Sequence, residues 1–138
     1  MVGCSHPGID RIVEAAASIN QRIHLVVGGF HLVVAKDEEI ERIVLALHDK
    51  WRVEYVAPGH CTGEPTFAAL KRAFDARYLY AGLGTTIALG ATPHPLTGSD
   101  QESARGRDEE ELGTYRRLSG HELESSITIV PFVFQDAL

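Results

Sequence analysis

Basic charge is scarce in this chain, with 13 Lys and Arg against 19 Asp and Glu over 138 residues. Residues 1–90 are close to neutral, with nine basic and ten acidic side chains, whereas residues 91–138 carry four basic and nine acidic. An acidic balance without a basic stripe argues against a nucleic-acid partner. Long apolar runs are also missing: none approaches the ~18 to 20 residues that span a bilayer. No basic region followed by a long apolar core opens the sequence, so neither a membrane partner nor a secretory leader is expected. Cysteine occurs only twice, at Cys4 and Cys61. Two cysteines do not make a disulfide framework, and a reducing cytoplasm is the expected compartment.

What is present is the composition of a soluble globular protein, 44% apolar and 23% charged, in a chain of ordinary domain length. Ile9, Ile12, Val13, Ala16 and Ile19 recur at helical spacing after Pro7, which suits a first helical turn. The β-branched run Ile23–Val27 ends at Gly28-Gly29 and predicts a strand. Asp37 is the expected N-cap of a second helix, whose inward face is Ile40, Ile43, Val44 and Leu47. Residues 52–56 predict another strand, and a helix from about Pro65 should turn Phe67, Leu70 and Phe74 inward. Arg77–Ala81 and Thr85–Leu89 are expected as two short strands in a hairpin or β-corner around Gly82-Leu83-Gly84.

With residues 1–6 taken as the end of a strand, the fold class is α/β in the order βαβαβαββ. That plan covers residues 1–90. Residues 91–138 form an acidic linker and tail, with a possible short helix over Asp108–Leu118 and a β-prone segment over Ile127–Phe134 that Pro131 confines to an edge.

Three loops repeat one arrangement, a histidine where a strand ends and a helix follows. They are Gly3-Cys4-Ser5-His6, Gly28-Gly29-Phe30-His31 and Pro58-Gly59-His60-Cys61-Thr62-Gly63. Open α/β sheets bind ligands at the carboxyl ends of their strands, so the three histidines point to one convergent site. His24, inside a strand, reads as structural, and His48, on a helix, as solvent-facing. His94 and His121 belong to the tail and show no partner pattern.

These loops, in this order and followed by Tyr78-Leu79-Tyr80-Ala81-Gly82-Leu83-Gly84, resemble carboxyl-half motifs of the metallo-β-lactamase superfamily. More narrowly they resemble the 7,8-dihydropterin-6-methyl-4-(β-D-ribofuranosyl)-aminobenzene-5'-phosphate synthase family of methanopterin biosynthesis. The resemblance implies an αβ/βα sandwich with one or two divalent metal ions, zinc first among them, between its halves. It makes His6 and His60 metal ligands. His31 stands where many members place an aspartate, and is a ligand, a group behind the ligands or a substrate contact. The family's His-x-His-x-Asp-His signature does not occur in these 138 residues.

The chain therefore reads as the carboxyl half of a metal-dependent hydrolase or transferase, begun within the strand that leads to His6. It would act on a small phosphate-bearing or pterin-like substrate and need an amino-half chain for activity. A half-sandwich would expose an apolar sheet face, so self-association or cover by residues 127–134 is expected. The rival reading is a non-catalytic α/β remnant or interaction module. Catalytic residues are not assigned. Cys4 and Cys61 read as small side chains beside tight turns ahead of thiolate ligands or nucleophiles, and Ser5 and Thr62 as helix caps. A thiol hydrolase built on Cys61 and His60 lacks a visible orienting acid.

Overall fold

A computed structural model describes residues 1–90, 92–96 and, for the backbone, 125–128. It divides into two compact units, Met1–Ala81 and Gly82–Leu138. In the first, helix α1 (Ile9–Ile19) is followed by strand β1 (Leu25–Gly28), helix α2 (Asp37–Leu45), strand β2 (Tyr55–Pro58) and helix α3 (Glu64–Phe74). Strands β1 and β2 pair in parallel, from Leu25 opposite Tyr55 to Gly28 opposite Pro58.

Two further segments lie along this pair without forming full strands. Val2 N–H donates to Val27 O and Gly29 N–H to Gly3 O, both at 2.9 Å. Beyond β2, Tyr78 bridges Val56 in parallel, and Leu79 N–H donates to Val56 O at 2.8 Å. The two-stranded sheet is thus flanked on each side by a segment that meets it over only a residue or two. The expected first strand is reduced to this contact, formed through Val2 and Gly3.

Of the expected hairpin or β-corner, the hairpin pairing of residues 77–81 with 85–89 is not seen among the described residues. Residues 78–79 pair with β2, while strand β3 (Thr86–Leu89) pairs antiparallel with β4 (His94–Pro95) and β5 (Ser125–Thr128) in the second unit. Strand β5 overlaps the start of the β-prone run. The remainder of that run, the Asp108–Leu118 helix and His121 lie outside the described residues.

The core of the first unit is built at the expected spacings. Ile9 and Val13 of α1, Ile40, Ile43 and Val44 of α2, and Ala69, Leu70 and Phe74 of α3 close over Val26 and Val56. Neither face of the strand pair is open, since Val26, Val27, Val56 and Ala57 are all buried. The α1 stripe is shorter than expected: Ala16 is exposed, and Ile19 in the last turn is 89% exposed. In α3 the buried row is Thr66, Ala69, Leu70 and Phe74, with Phe67 half-buried beside it.

Helix caps differ from expectation too. Lys36, not Asp37, caps α2 without a side-chain bond, leaving Asp37, Glu38 and Glu39 in the first turn, where the helix dipole favours acids. The helix then widens into a π turn over Ala46–Lys50, with Trp51 N–H donating to Ala46 O at 3.0 Å. That turn half-buries His48, which faces the Phe74 ring edge-on at 5.3 Å and has Arg77 Nη2 at 2.8 Å.

Candidate metal centre

The three histidine loops leave the carboxyl ends of adjacent rows, in the spatial order Gly3, β1, β2. The first and third loops must meet across the end of β1, and two glycines there make this possible. A Cβ on Gly28, at φ +134°, would fall 2.0 Å from Val2 O. A Cβ on Gly29 would fall 2.7 Å from His60 O, 2.8 Å from Cys61 Sγ and 3.0 Å from His60 Cε1. The space beside the glycine pair is filled by protein, so the pair is a packing device and not a phosphate cradle.

Each loop also holds a non-glycine residue in the left-handed region: Ser5 at φ 51°, His31 at 55° and Cys61 at 53°. Such backbone costs on the order of 1–3 kcal/mol per residue and persists only where its surroundings hold it, often at functional sites. Here Leu32 and Val33 N–H both donate to Cys61 O, at 2.9 and 3.2 Å. Thr62 Oγ1 accepts from Phe30 N–H at 3.2 Å, tying the second loop to the third. Thr62 therefore latches two loops together, and Gly63 is the N-cap of α3. Ser5 does not cap α1 either: Gly8 does, and the buried Ser5 Oγ has no partner among the described residues.

The result is two overlapping groups of metal-ligating side chains, Cys4–His6–His31 and Cys4–His60–Cys61, each with its donor atoms within 4.8 Å of one another. His6 and His31 meet edge-on with ring centroids 4.5 Å apart. Cys4 Sγ lies 3.6 Å from His31 Nδ1 and 3.0 Å from Cys61 Sγ. The histidines are exposed and the cysteines half-buried. Burial first, and the neighbouring Cys4 sulfur next, push the Cys61 thiol up to about 11.

His6 and His31 thus fall in one group and His60 in the other, with Cys4 common to both. Sequence context favours packing for the cysteines, yet Cys4 is the residue the two groups share. The available signal was their position, one beside a histidine and one two residues before another.

The donor chemistry fits a divalent ion. A tetrahedral zinc holds its nitrogen and sulfur ligands roughly 3.3–3.8 Å apart, so donors within 4.8 Å need only small side-chain adjustments. No Asp or Glu joins either group among the described residues.

The other polar features lie elsewhere. Arg22 Nε and His24 Nδ1 contact Glu54 at 2.7 and 2.6 Å, before β1 and β2 begin. A depression of about 510 Å3 there is lined by Arg22, Lys50, Trp51, Arg52 and Glu54, among others. Two of its three cations are already paired, Arg22 with Glu54 and Lys50 with Glu14 at 3.3 Å. No helix among the described residues is long and apolar enough to cross a membrane.

No family model matches this chain. Over 63 residues it is 43% identical to the 7,8-dihydropterin-6-methyl-4-(β-D-ribofuranosyl)-aminobenzene-5'-phosphate synthase of Methanocaldococcus jannaschii, covering 44% of the chain and 21% of that protein. Over 91 residues it is 34% identical to the uncharacterized protein MJ0448 of the same organism, covering 64% of the chain and 33% of that protein. A solved structure, Tm1679, a metal-dependent hydrolase of the β-lactamase superfamily, is 49% identical with a TM-score of 0.54 over 59% of this chain and 33% of its own. The chain spans about a fifth to a third of the length of the curated relatives it matches.

Proposed function

From its partial resemblance to the metallo-β-lactamase superfamily and to the pterin-pathway synthase, we propose that this chain contributes part of a divalent-metal centre to a hydrolase or transferase. His6, His31 and His60 hold the metal, with zinc the best candidate. One observation supports this reading: the three loops bring together two overlapping ligand groups, Cys4–His6–His31 and Cys4–His60–Cys61, that share Cys4. When bound, such an ion supplies a water whose pKa falls to about 7 and polarises a phosphoryl or carbonyl oxygen.

The chain's own residues bind and orient. The His31 and Cys61 backbones take left-handed turns, and the Thr62 latch ties the two loops together. Ligands of the His-x-His-x-Asp-His type come from another segment, which also completes the pocket for a small phosphate-bearing or pterin-like substrate. Neither ligand group includes a carboxylate among the described residues. The alternative reading is a non-catalytic α/β interaction module.

Zinc titration against a chromophoric chelator decides the first point. The wild-type chain should bind zinc, and His6→Ala with His60→Ala should weaken binding at least tenfold. Adding a polypeptide that carries the signature half should then produce phosphoester hydrolysis that depends on both histidines. Equal zinc affinity in the wild type and the double variant would remove the proposal. Zinc binding without any hydrolysis in the reconstituted pair would leave the interaction-module reading.

A further inference from the structure

We infer that Cys4, His60 and Cys61 form a thiolate metal site that selects thiophilic cations. This rests on reading the loops as a metal centre, and it names ligands and a metal class which that reading does not require.

The geometry is specific to this trio. Cys4 and Cys61 belong to loops separated by the β1 row, and their sulfurs approach to 3.0 Å across its end. Two thiolates on one tetrahedral ion stand about 3.7–3.8 Å apart at a Zn–S distance of about 2.3 Å, and a thiolate and an imidazole about 3.5–3.6 Å. An ion between the sulfurs therefore requires them to part by only about 0.7–0.8 Å. His60 and Cys61 are neighbours in sequence, and side chains of successive residues in extended backbone point to opposite sides. The left-handed turn at Cys61 removes that opposition and brings both donors within 4.8 Å of Cys4 Sγ and of each other. The absence of a side chain at Gly29 leaves room for the His60 ring and the Cys61 sulfur.

Two sulfurs and one nitrogen make a soft donor set. Zinc and cobalt suit it, whereas magnesium, calcium and manganese prefer carboxylate, carbonyl and water oxygens. The Cys61 thiol releases its proton to solvent as the metal binds. Three protein ligands leave the fourth tetrahedral position open, the arrangement of catalytic rather than structural zinc. His6 and His31 then remain for a second ion or for substrate, because Cys4 is the residue common to both groups.

Cobalt(II) titration of the full reduced chain tests this by spectroscopy. A thiolate-to-cobalt charge-transfer band should grow to one equivalent and persist in excess magnesium. Cys4→Ser and Cys61→Ser should each abolish or sharply reduce the band. Each should also weaken zinc binding beyond the roughly 10- to 100-fold that loss of a partner behind the ligands costs. His24→Ala, paired with Glu54 before β1 begins and in neither ligand group, should keep the band, and circular dichroism checks that each variant is folded. Cobalt bound without the band would overturn the thiolate site while leaving the histidine centre standing. So would displacement of cobalt by magnesium, or a Cys61→Ser variant that keeps both band and affinity. A chain with no cobalt or zinc affinity would overturn both.

Discussion

Replacing Gly29 with alanine perturbs the centre without touching a ligand. The added Cβ would stand 2.7 Å from His60 O, 2.8 Å from Cys61 Sγ and 3.0 Å from His60 Cε1. Ordinary contacts of this kind begin near 3.4 Å, so the third loop must retreat by roughly 0.4–0.7 Å. The ring and the sulfur can rotate away, but His60 O is backbone. It is held close by the bonds from Leu32 and Val33 N–H to the next carbonyl, Cys61 O. Overpacking of a fixed site costs about 1–3 kcal/mol. Gly29→Ala should therefore lower the urea midpoint accordingly and weaken zinc binding, because the His60 and Cys61 donors move away from Cys4. Gly84→Ala is the control: its φ is +80° with nothing within 4 Å, so only backbone strain of about 1–2 kcal/mol applies and zinc affinity should not change. Equilibrium unfolding with and without zinc reads both effects. A Gly29→Ala protein with wild-type stability and zinc affinity would refute the proposed crossing of the loops over β1.

Leu70, fully buried on α3, should cost about 2–5 kcal/mol as Leu70→Ala, whereas Ile19→Ala, at an 89% exposed position, should fall within about 0.5 kcal/mol of wild type; denaturant unfolding compares them. The Arg22 guanidinium first, and the His24 ring second, hold the Glu54 carboxyl below its ordinary range. A carboxyl depressed in the folded state adds stability above its unfolded pKa and loses it as pH falls through the folded one. Glu54→Gln should therefore be less stable than wild type near neutrality, the difference closing on acidification below the ordinary carboxylate range. Urea midpoints measured from about pH 7 down to about pH 3 would show the two curves converge, and a constant gap would contradict the assignment.

The helices and central strands were legible because their apolar spacing is strong. Ile40, Ile43, Val44 and Leu47 of the second helical region are all buried as the periodicity requires. The convergence of His6, His31 and His60 was legible for a topological reason, since loops after neighbouring parallel strands share one edge. The missed features depend on local geometry that spacing does not encode. Nothing in the sequence distinguishes a cap from a latch at Thr62, whose hydroxyl bonds to a residue 32 positions away. The cysteines look like packing until the left-handed turns aim them. Of the hairpin or β-corner expected around Gly82-Leu83-Gly84, the hairpin pairing is not seen among the described residues, where Tyr78 and Leu79 find backbone partners on β2.

X-ray absorption at the zinc edge of the metal-loaded, reduced chain tests the central claim most directly. The account predicts zinc retained through gel filtration with a mixed shell, imidazole nitrogen at about 2.0–2.1 Å and sulfur at about 2.3 Å. A shell of oxygen alone, or zinc lost on the column, would contradict it.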